Sequence, residues 1–257
     1  MTEQSGRVYI VGAGEVGRRL GHALRGTGSE VIDVTRHEGW KGAREDPTGI
    51  RLLCVREEDL ATVLDRLAGV PDRSIVCIQN GWIRPLVSHR TDVTRGLIWF
   101  TSKGDFFEVL RESPFHGPCA AVLADRLAAG GIPAGNVDES LFAALEADKM
   151  GFNCVVGLPL AVHGVTLERY LTDHRDEARA LVEESVSTCA RALDTTADSG
   201  WWREFCIAAQ PLGRVRATAA KALEFRNGAV ARLAEQQGIT VPVTERLLRK
   251  VGFAQPR

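Results

Sequence analysis

The chain has 257 residues, of which 44% are hydrophobic and 25% are charged, and its formal net charge is −1. These values are ordinary for a globular protein of one or two domains and give no general attraction for nucleic acid. No run approaches the roughly 18 apolar residues of a membrane span, and the first residues lack the pattern of a signal peptide. We therefore expect a cytoplasmic protein with neither nucleic acid nor membrane as a partner.

The six cysteines are scattered along the chain. They form no Cys-x-x-Cys pair and no His/Cys cluster with metal-ligand spacing. We predict reduced, buried thiols and no metal site.

The first half of the chain alternates short apolar runs with helical patterns. The predicted strands are Val8–Val11, Val31–Val34, Arg51–Val55, Ile75–Ile78 and Leu97–Phe100. The predicted helices among them are Val16–Leu24 and Asp59–Leu67. Strands that alternate with helices indicate a parallel sheet with right-handed crossovers.

The second half of the chain has helical patterns and no convincing strand beyond about residue 137. The predicted helices are Leu141–Val156, Asp176–Leu193 and Leu212–Gln237. We therefore predict an α/β protein with a Rossmann-type parallel-sheet domain over residues 1–137. An all-helical domain that holds substrate and catalytic residues is predicted over residues 138–257.

A glycine-rich loop follows the first strand and opens the first helix. Its six residues are Gly12, Ala13, Gly14, Glu15, Val16 and Gly17. In this motif the first glycine makes the tight turn, the second lets the backbone approach a pyrophosphate, and the third allows close helix–strand packing. The helix N-terminus adds free N–H groups and a positive dipole end. The strand, loop and helix together predict a dinucleotide site at these six residues.

The end of the second strand indicates which dinucleotide is bound. NAD sites usually carry an acid about 20 residues beyond the loop, where it bonds the ribose 2′-hydroxyl. Here Thr35 and Arg36 stand at that spacing, and a guanidinium would pair with a 2′-phosphate. The pattern favours NADP(H), although Arg36 could also be a solvated surface charge.

Three ordered motifs resemble the ketopantoate reductase family. Gln79-Asn80-Gly81 is similar to its Q-N-G, and Lys149 to Cys154 is similar to its W-x-K-L-x-x-N-C. Asn227-Gly228 followed by Gly238 to Pro242 is similar to its Y-I-N-G and H-G-I-x-x-P. The motifs occur in the family's order over essentially the whole chain.

The resemblance implies a nucleotide-binding domain and a helical domain with the active site in the cleft between them. It implies that Lys149 is the general acid that protonates the substrate oxygen as hydride arrives. It also implies that Asn80 and Asn153 position the substrate and that Asn80 contacts the cofactor. The expected partners are a small-molecule substrate and, as one option, a second copy of the chain.

The residues themselves support these roles in part. Lys149 and Asn153 share one helix face, and the apolar run around them would partly desolvate the lysine. An ammonium and an amide donor would stabilise a developing alkoxide. Lys149 could instead be a surface lysine with a buried stem, and Asn80 could be a simple turn residue.

Several family positions are changed here. Gly157 replaces a substrate-binding asparagine, Gln210 replaces a serine, and Glu57 or Glu58 replaces a lysine. The family's substrate-binding glutamate falls on Ala222, and helical rotation over two residues should turn Glu224 away. Losing a buried carboxylate that bonds hydroxyls should cost several kcal/mol of recognition. These changes favour a substrate other than ketopantoate.

Three hypotheses remain from the sequence. The first is an NADPH-dependent reductase of a keto or imine carbon. The second is a catalytically degenerate NADP(H)-binding interaction or sensor protein, and the third is a β-hydroxyacid or imine dehydrogenase of the same architecture. Trp201-Trp202 could form a substrate-pocket wall or a dimer contact, or could be helix-packing aromatics.

Overall fold

The structure is a computed structural model that describes residues 6–197, 200–217 and 222–253. Contacts group the chain into two units. One unit comprises the residues up to Gln79 together with Ile83–Glu139, and the other comprises Asn80–Trp82 together with the residues from Ser140 onward. Within the described ranges, no helix is both long and apolar enough to cross a membrane.

The first unit is built on a seven-stranded sheet with the order β2-β1-β3-β4-β5-β8-β9, and β6 and β7 form a separate hairpin. The strands are β1 Arg7–Val11, β2 Glu30–Val34, β3 Ile50–Leu53, β4 Ile75–Cys77, β5 Thr94–Gly96, β6 Phe100–Lys103, β7 Phe106–Val109, β8 Ser113–His116 and β9 Ala134–Asn136. The helices are α1 Glu15–Gly26, α2 Trp40–Glu45, α3 Leu60–Arg66, α4 Arg84–Val87 and α5 Ala120–Ala129. All neighbouring strands of the large sheet pair in parallel except β5 and β8. The predicted Rossmann-type sheet is confirmed.

The side chains of β1 alternate between two apolar cores, one on each face of the sheet. Val8 and Ile10 pack into the core that includes residues of α1 and α5. Tyr9 and Val11 pack into the core that includes residues of α3. A sheet covered on both faces explains why β1 from Val8 onward and β4 are continuous apolar runs in the sequence.

The predicted strand Leu97–Phe100 is wrong. The structure has β5 before this run and β6 from Phe100, and the three residues between them form a buried connection. Leu97 N–H donates to the Pro114 carbonyl and Trp99 N–H to the Ser113 hydroxyl. A short apolar run indicates that the segment is buried, but it does not distinguish a strand from a buried connection.

The second unit consists of helices in its described part. They are α6 Glu139–Val155, α7 Leu158–His163, α8 Leu167–Asp173, α9 Arg175–Ala192, α10 Trp201–Ala209, α11 Asn227–Gln237 and α12 Pro242–Lys250. Among these residues the β pairing is limited to one isolated bridge between Thr166 and Arg216. The predicted helical half is confirmed, and α6 and α9 agree with the predicted helices to within two residues at each end.

The predicted single helix Leu212–Gln237 is wrong. Residues 218–221 lie outside the described residues, but the chain on either side is not one helix. Ala222 has a left-handed backbone with φ of 48°, Leu223–Phe225 form a 3₁₀ turn, and α11 begins only at Asn227. A left-handed residue interrupts the helical hydrogen-bond ladder, although the apolar spacing continues across it.

Candidate functional site

The loop between β1 and α1 requires glycine at two positions. Gly12 has a φ of +101°, and a Cβ atom there would lie 2.9 Å from the Cys54 carbonyl oxygen. A Cβ on Gly17 would lie 2.1 Å from the Gly12 carbonyl oxygen. The turn and the approach of α1 to the loop therefore exclude any side chain at either position.

Gly14 is different, because it leaves free space. It caps α1, no side chain caps the helix, and a Cβ atom on Gly14 would meet nothing within 4 Å. The first-turn N–H groups of this twelve-residue helix are thus available to an anion, which could approach the backbone closely at Gly14. Glu15 forms an ion pair with Arg18 at 2.9 Å, and Val16 packs against the sheet core.

A cavity of about 680 Å³ extends from this loop along the carboxyl ends of the strands. Its size lies in the range of small-molecule sites. Its lining comprises Val11, Gly12, Ala13, Val34, Thr35, Arg36, His37, Trp40, Cys54, Val55, Arg56, Asp59, Thr62, Val63 and Arg66. Gly12, Ala13 and Arg36 therefore border one groove, and the open space at the neighbouring Gly14 fits the pyrophosphate of a dinucleotide.

Arg36 is exposed at the end of β2. Its guanidinium has neither an ion pair nor a hydrogen bond within the described part of the chain. A second cavity of about 380 Å³ also has Arg36 in its lining, together with Trp40, Arg44, Asp65 and Arg66. An unengaged guanidinium at this position fits the 2′-phosphate of NADP(H).

Sequence reasoning missed the short helix α2, which brings Trp40 into the groove. The indole Nε1 donates to the Thr35 carbonyl at 2.7 Å, and the Arg66 guanidinium lies 4.9 Å from the indole centroid. The segment between Arg36 and Ile50 contains α2 and no strand. A six-residue helix without a side-chain cap gives no local sequence signal that could have revealed it.

In the second unit, α6 carries the two residues predicted for catalysis and substrate binding. Lys149 is 5% exposed and Asn153 is 6% exposed, one helical turn apart. The Lys149 ammonium lies 5.1 Å from the centroid of the Phe152 ring. Lys149 is therefore a buried lysine against an aromatic face, and the alternative of a surface lysine is wrong.

Asn153 and Asn80 are brought together, but through the backbone of Asn80. The Asn153 amide Nδ2 donates to the Asn80 carbonyl oxygen. Two residues further on, Trp82 N–H donates to the Phe225 carbonyl at 2.6 Å. These bonds explain why Asn80–Trp82 groups with the helical unit.

Two other motif residues have structural contacts. Gln79 is buried, and its Nε2 donates to the Leu53 carbonyl at 2.8 Å and to the Val55 carbonyl at 3.1 Å, which ties the ends of two strands. Asn227 is 1% exposed and donates from Nδ2 to the Cys154 carbonyl at 3.3 Å, which ties α11 to α6.

Gly157 and Ala222, which stand where the resemblance implies polar side chains, carry none. A Cβ on Gly157 would have one neighbour within 4 Å, the Asn153 carbonyl oxygen at 3.9 Å. Ala222 is partly buried in its left-handed conformation, and Glu224 is exposed. The helical-rotation argument that separated Ala222 from Glu224 is wrong, because neither residue lies in an α-helix.

An aromatic row joins the Lys149 region to the surface of the helical unit. Phe152 and Phe205 lie 5.9 Å apart, and Trp202 stacks on Phe205 at 5.4 Å. Both phenylalanines are buried, whereas Trp201 and Trp202 are partly exposed. Glu146, buried on α6 one turn before Lys149, is a second ionisable group that sequence reasoning missed.

No family model matches the sequence, and no curated protein matches it. Solved structures do match. A ketopantoate reductase of the PanE/ApbA family from Ralstonia eutropha JMP134 is 18% identical, with 96% of this chain and 97% of that chain covered and a TM-score of 0.75. D-mandelate dehydrogenase, solved with NADH, is 16% identical, with coverages of 96% and 97% and a TM-score of 0.74.

A third match is the dimeric ketopantoate reductase from Staphylococcus aureus. It is 14% identical, with 96% of this chain and 98% of that chain covered and a TM-score of 0.70. At such identities, the agreement over nearly the whole of both chains establishes the fold. The chain thus has the fold of the ketopantoate reductases, with a Rossmann-type sheet unit followed by a helical unit.

Proposed function

We propose that this protein is a divergent member of the ketopantoate reductase family that reduces a keto or imine carbon with NADPH. The observation that carries the proposal is the buried Lys149, one helical turn from Asn153 and with its ammonium against the Phe152 ring. A buried lysine is uncommon because desolvating an ammonium is costly, and functional sites are where such groups concentrate. The fold shared with ketopantoate reductases and D-mandelate dehydrogenase supports the reaction class.

The groove of the sheet unit is the proposed NADP(H) site. The free space at Gly14 and the uncapped start of α1 would receive the pyrophosphate, and Arg36 would pair with the 2′-phosphate. When bound, the nicotinamide ring supplies a hydride. We propose NADP(H) rather than NAD(H) because Arg36 stands where an NAD site would carry an acid.

Lys149 is the proposed proton donor. As negative charge develops on the substrate oxygen or nitrogen, the Nζ proton moves to that atom and leaves a neutral amine. Burial strengthens the attraction between the ammonium and the developing anion, because water no longer screens it. The Asn153 amide, fixed by its bond to the Asn80 carbonyl, orients the substrate beside Lys149.

The substrate is proposed to differ from ketopantoate. Gly157 and Ala222 offer neither an amide nor a carboxylate to substrate hydroxyls. The aromatic row that begins at Phe152 favours a substrate with an apolar or aromatic substituent. D-mandelate dehydrogenase has a related fold and, by its name, acts on an aromatic acid.

The test is NADPH oxidation over a panel of aliphatic and aromatic 2-keto acids, lactones and imines. We expect turnover on at least one compound, with the aromatic members preferred to ketopantoate. Lys149→Ala should lower kcat by about 10²- to 10⁴-fold. The Kd for NADPH, measured alongside, should stay within about threefold of the wild-type value, since Lys149 belongs to the other unit.

Unchanged turnover in Lys149→Ala would refute the role of Lys149. Tight NADPH binding without turnover on any compound would instead favour an NADP(H)-binding interaction or sensor protein. Gly157 and Ala222 favour this second candidate, because neither residue offers a polar side chain to a substrate.

We also propose a homodimer, as described for the Staphylococcus aureus ketopantoate reductase. Light scattering coupled to size-exclusion chromatography should give about twice the chain mass of 28.0 kDa. A mass near that of one chain at micromolar concentration would contradict this.

A further inference from the structure

Helix α2 lies between β2 and β3 and is positioned by the backbone at its start. Gly39 precedes it with a φ of +83°, and a Cβ there would lie 2.9 Å from the Asp33 carbonyl oxygen. Trp40 follows directly, and its indole N–H is fixed to the Thr35 carbonyl. The glycine turn and this bond together hold the indole beside the end of β2.

Arg66, at the end of α3, lies with its guanidinium over that indole at 4.9 Å from the ring centroid. The stacking restricts the long arginine side chain before any ligand arrives. Arg36 has no comparable contact within the described residues. Arg66 is therefore the better ordered of the two guanidinium groups.

The second cavity brings these groups together around about 380 Å³ of space. Its charged lining consists of the guanidinium groups of Arg36, Arg44 and Arg66 and the carboxylate of Asp65. These side chains leave a net charge of two positive at neutral pH, which complements the charge of roughly −2 on a phosphate monoester. The site thus has the charge and the guanidinium donors to bind a phosphate.

We propose that Arg66 and Arg44 bind the 2′-phosphate of NADP(H) together with Arg36, and that Trp40 positions Arg66 for this contact. The inference rests on the proposed NADP(H) site and assigns three further residues to its specificity. Planar guanidinium groups bind phosphate oxygens through paired N–H donors, and a stacked guanidinium loses less freedom on binding. Discrimination against NAD(H) then depends on α2 and α3 as well as on the end of β2.

The experiment measures the Kd values of NADPH and NADH by isothermal titration calorimetry on the full chain. Adenosine 2′,5′-bisphosphate and adenosine 5′-monophosphate serve as probes of the 2′-phosphate alone. Arg66→Ala should weaken NADPH and the bisphosphate by about 10- to 100-fold and change NADH and the monophosphate by less than about threefold. Arg44→Ala should do the same more weakly.

Trp40→Leu should reduce the NADPH preference, whereas Trp40→Phe, which keeps a ring face, should retain part of it. Combining Trp40→Leu with Arg66→Ala should add little to Arg66→Ala alone, because both act through one guanidinium. Lys41→Ala is the matched control, since Lys41 is exposed on α2 and lines neither cavity. Thermal melts of each variant show whether it is folded.

Two results overturn this inference without touching the proposed function. One is an unchanged NADPH-to-NADH affinity ratio in Arg66→Ala, and the other is a loss in Lys41→Ala as large as in Arg66→Ala. Wild-type protein that binds neither dinucleotide would refute the proposed function itself. Equal binding of NADPH and NADH by the wild type would refute the 2′-phosphate site and leave dinucleotide binding in place.

Discussion

Replacing Arg51 with methionine should destabilise the protein by about 3 kcal/mol. Arg51 is fully buried on β3, and its guanidinium donates to the carbonyl oxygens of Ala43, Asp46 and Gly49. Two of these carbonyls belong to the end of α2, where helical partners are absent. Burial lowers the pKa of Arg51, and the nearby Asp46 carboxylate opposes this only in part.

The magnitude follows from the groups that methionine cannot replace. Each of the three carbonyls loses a buried donor, at about 1 kcal/mol or more apiece, and the Ser74 hydroxyl loses a 3.1 Å partner. Methionine keeps most of the apolar contact of the arginine stem, so the polar loss dominates. Arg51→Lys should recover only part of it, because one ammonium cannot reach acceptors on several sides.

Urea unfolding followed by circular dichroism measures the change. Arg73→Met is the control, since Arg73 is exposed and its replacement should stay within about 0.5 kcal/mol of the wild type. A loss below about 1 kcal/mol in Arg51→Met would refute this reasoning. The same variant should also weaken NADPH binding, because the freed segment carries α2.

Three further outcomes are expected. Gly14→Ala should leave thermal stability unchanged but weaken NADPH binding at least about 10-fold, because the added methyl group occupies free space that the pyrophosphate needs. The control is Gly26→Ala at the far end of α1, where a methyl group is equally unhindered and NADPH should bind normally. Burial raises the pKa of Glu177, but hydrogen bonds with His163, Tyr170 and Arg246 outweigh burial and lower this pKa overall. The ionised Glu177 therefore stabilises the fold above about pH 4.3, and this contribution is lost as the pH falls through the pKa of Glu177 in the folded protein. Unfolding free energy measured from pH 7 to pH 3 should fall less steeply in Glu177→Gln, and an unchanged slope would contradict this assignment. Burial raises the pKa of Cys77 and Cys154 to about 12, so neither thiol should react with Ellman's reagent at pH 8 until the protein unfolds.

The sequence predicted the parts of the fold that depend on periodicity and on obligatory glycines. The loop from Gly12 to Gly17 was predictable because the turn at Gly12 and the close packing at Gly17 exclude a side chain. The long helices α6 and α9 were predictable because their apolar spacing persists over several turns. The placement of Lys149 followed from α6.

Other features depended on contacts that no local pattern records. Helix α2 has six residues and no side-chain cap, and its end is held by Arg51 from the next strand. The break before α11 follows from a left-handed backbone at Ala222, a residue that seldom adopts it. The role of the Asn80 backbone in holding Asn153 depends on a contact between residues distant in sequence.

Transfer of isotope from cofactor to product tests the proposed reduction most directly. With NADPH that carries deuterium at both C4 positions and the best substrate of the panel, the product of the wild-type protein should gain one deuterium. Lys149→Ala should slow this transfer by about 10²- to 10⁴-fold while the NADPH Kd stays nearly constant. Product without deuterium, or an equal transfer rate in Lys149→Ala, would contradict a reductase in which Lys149 supplies the proton.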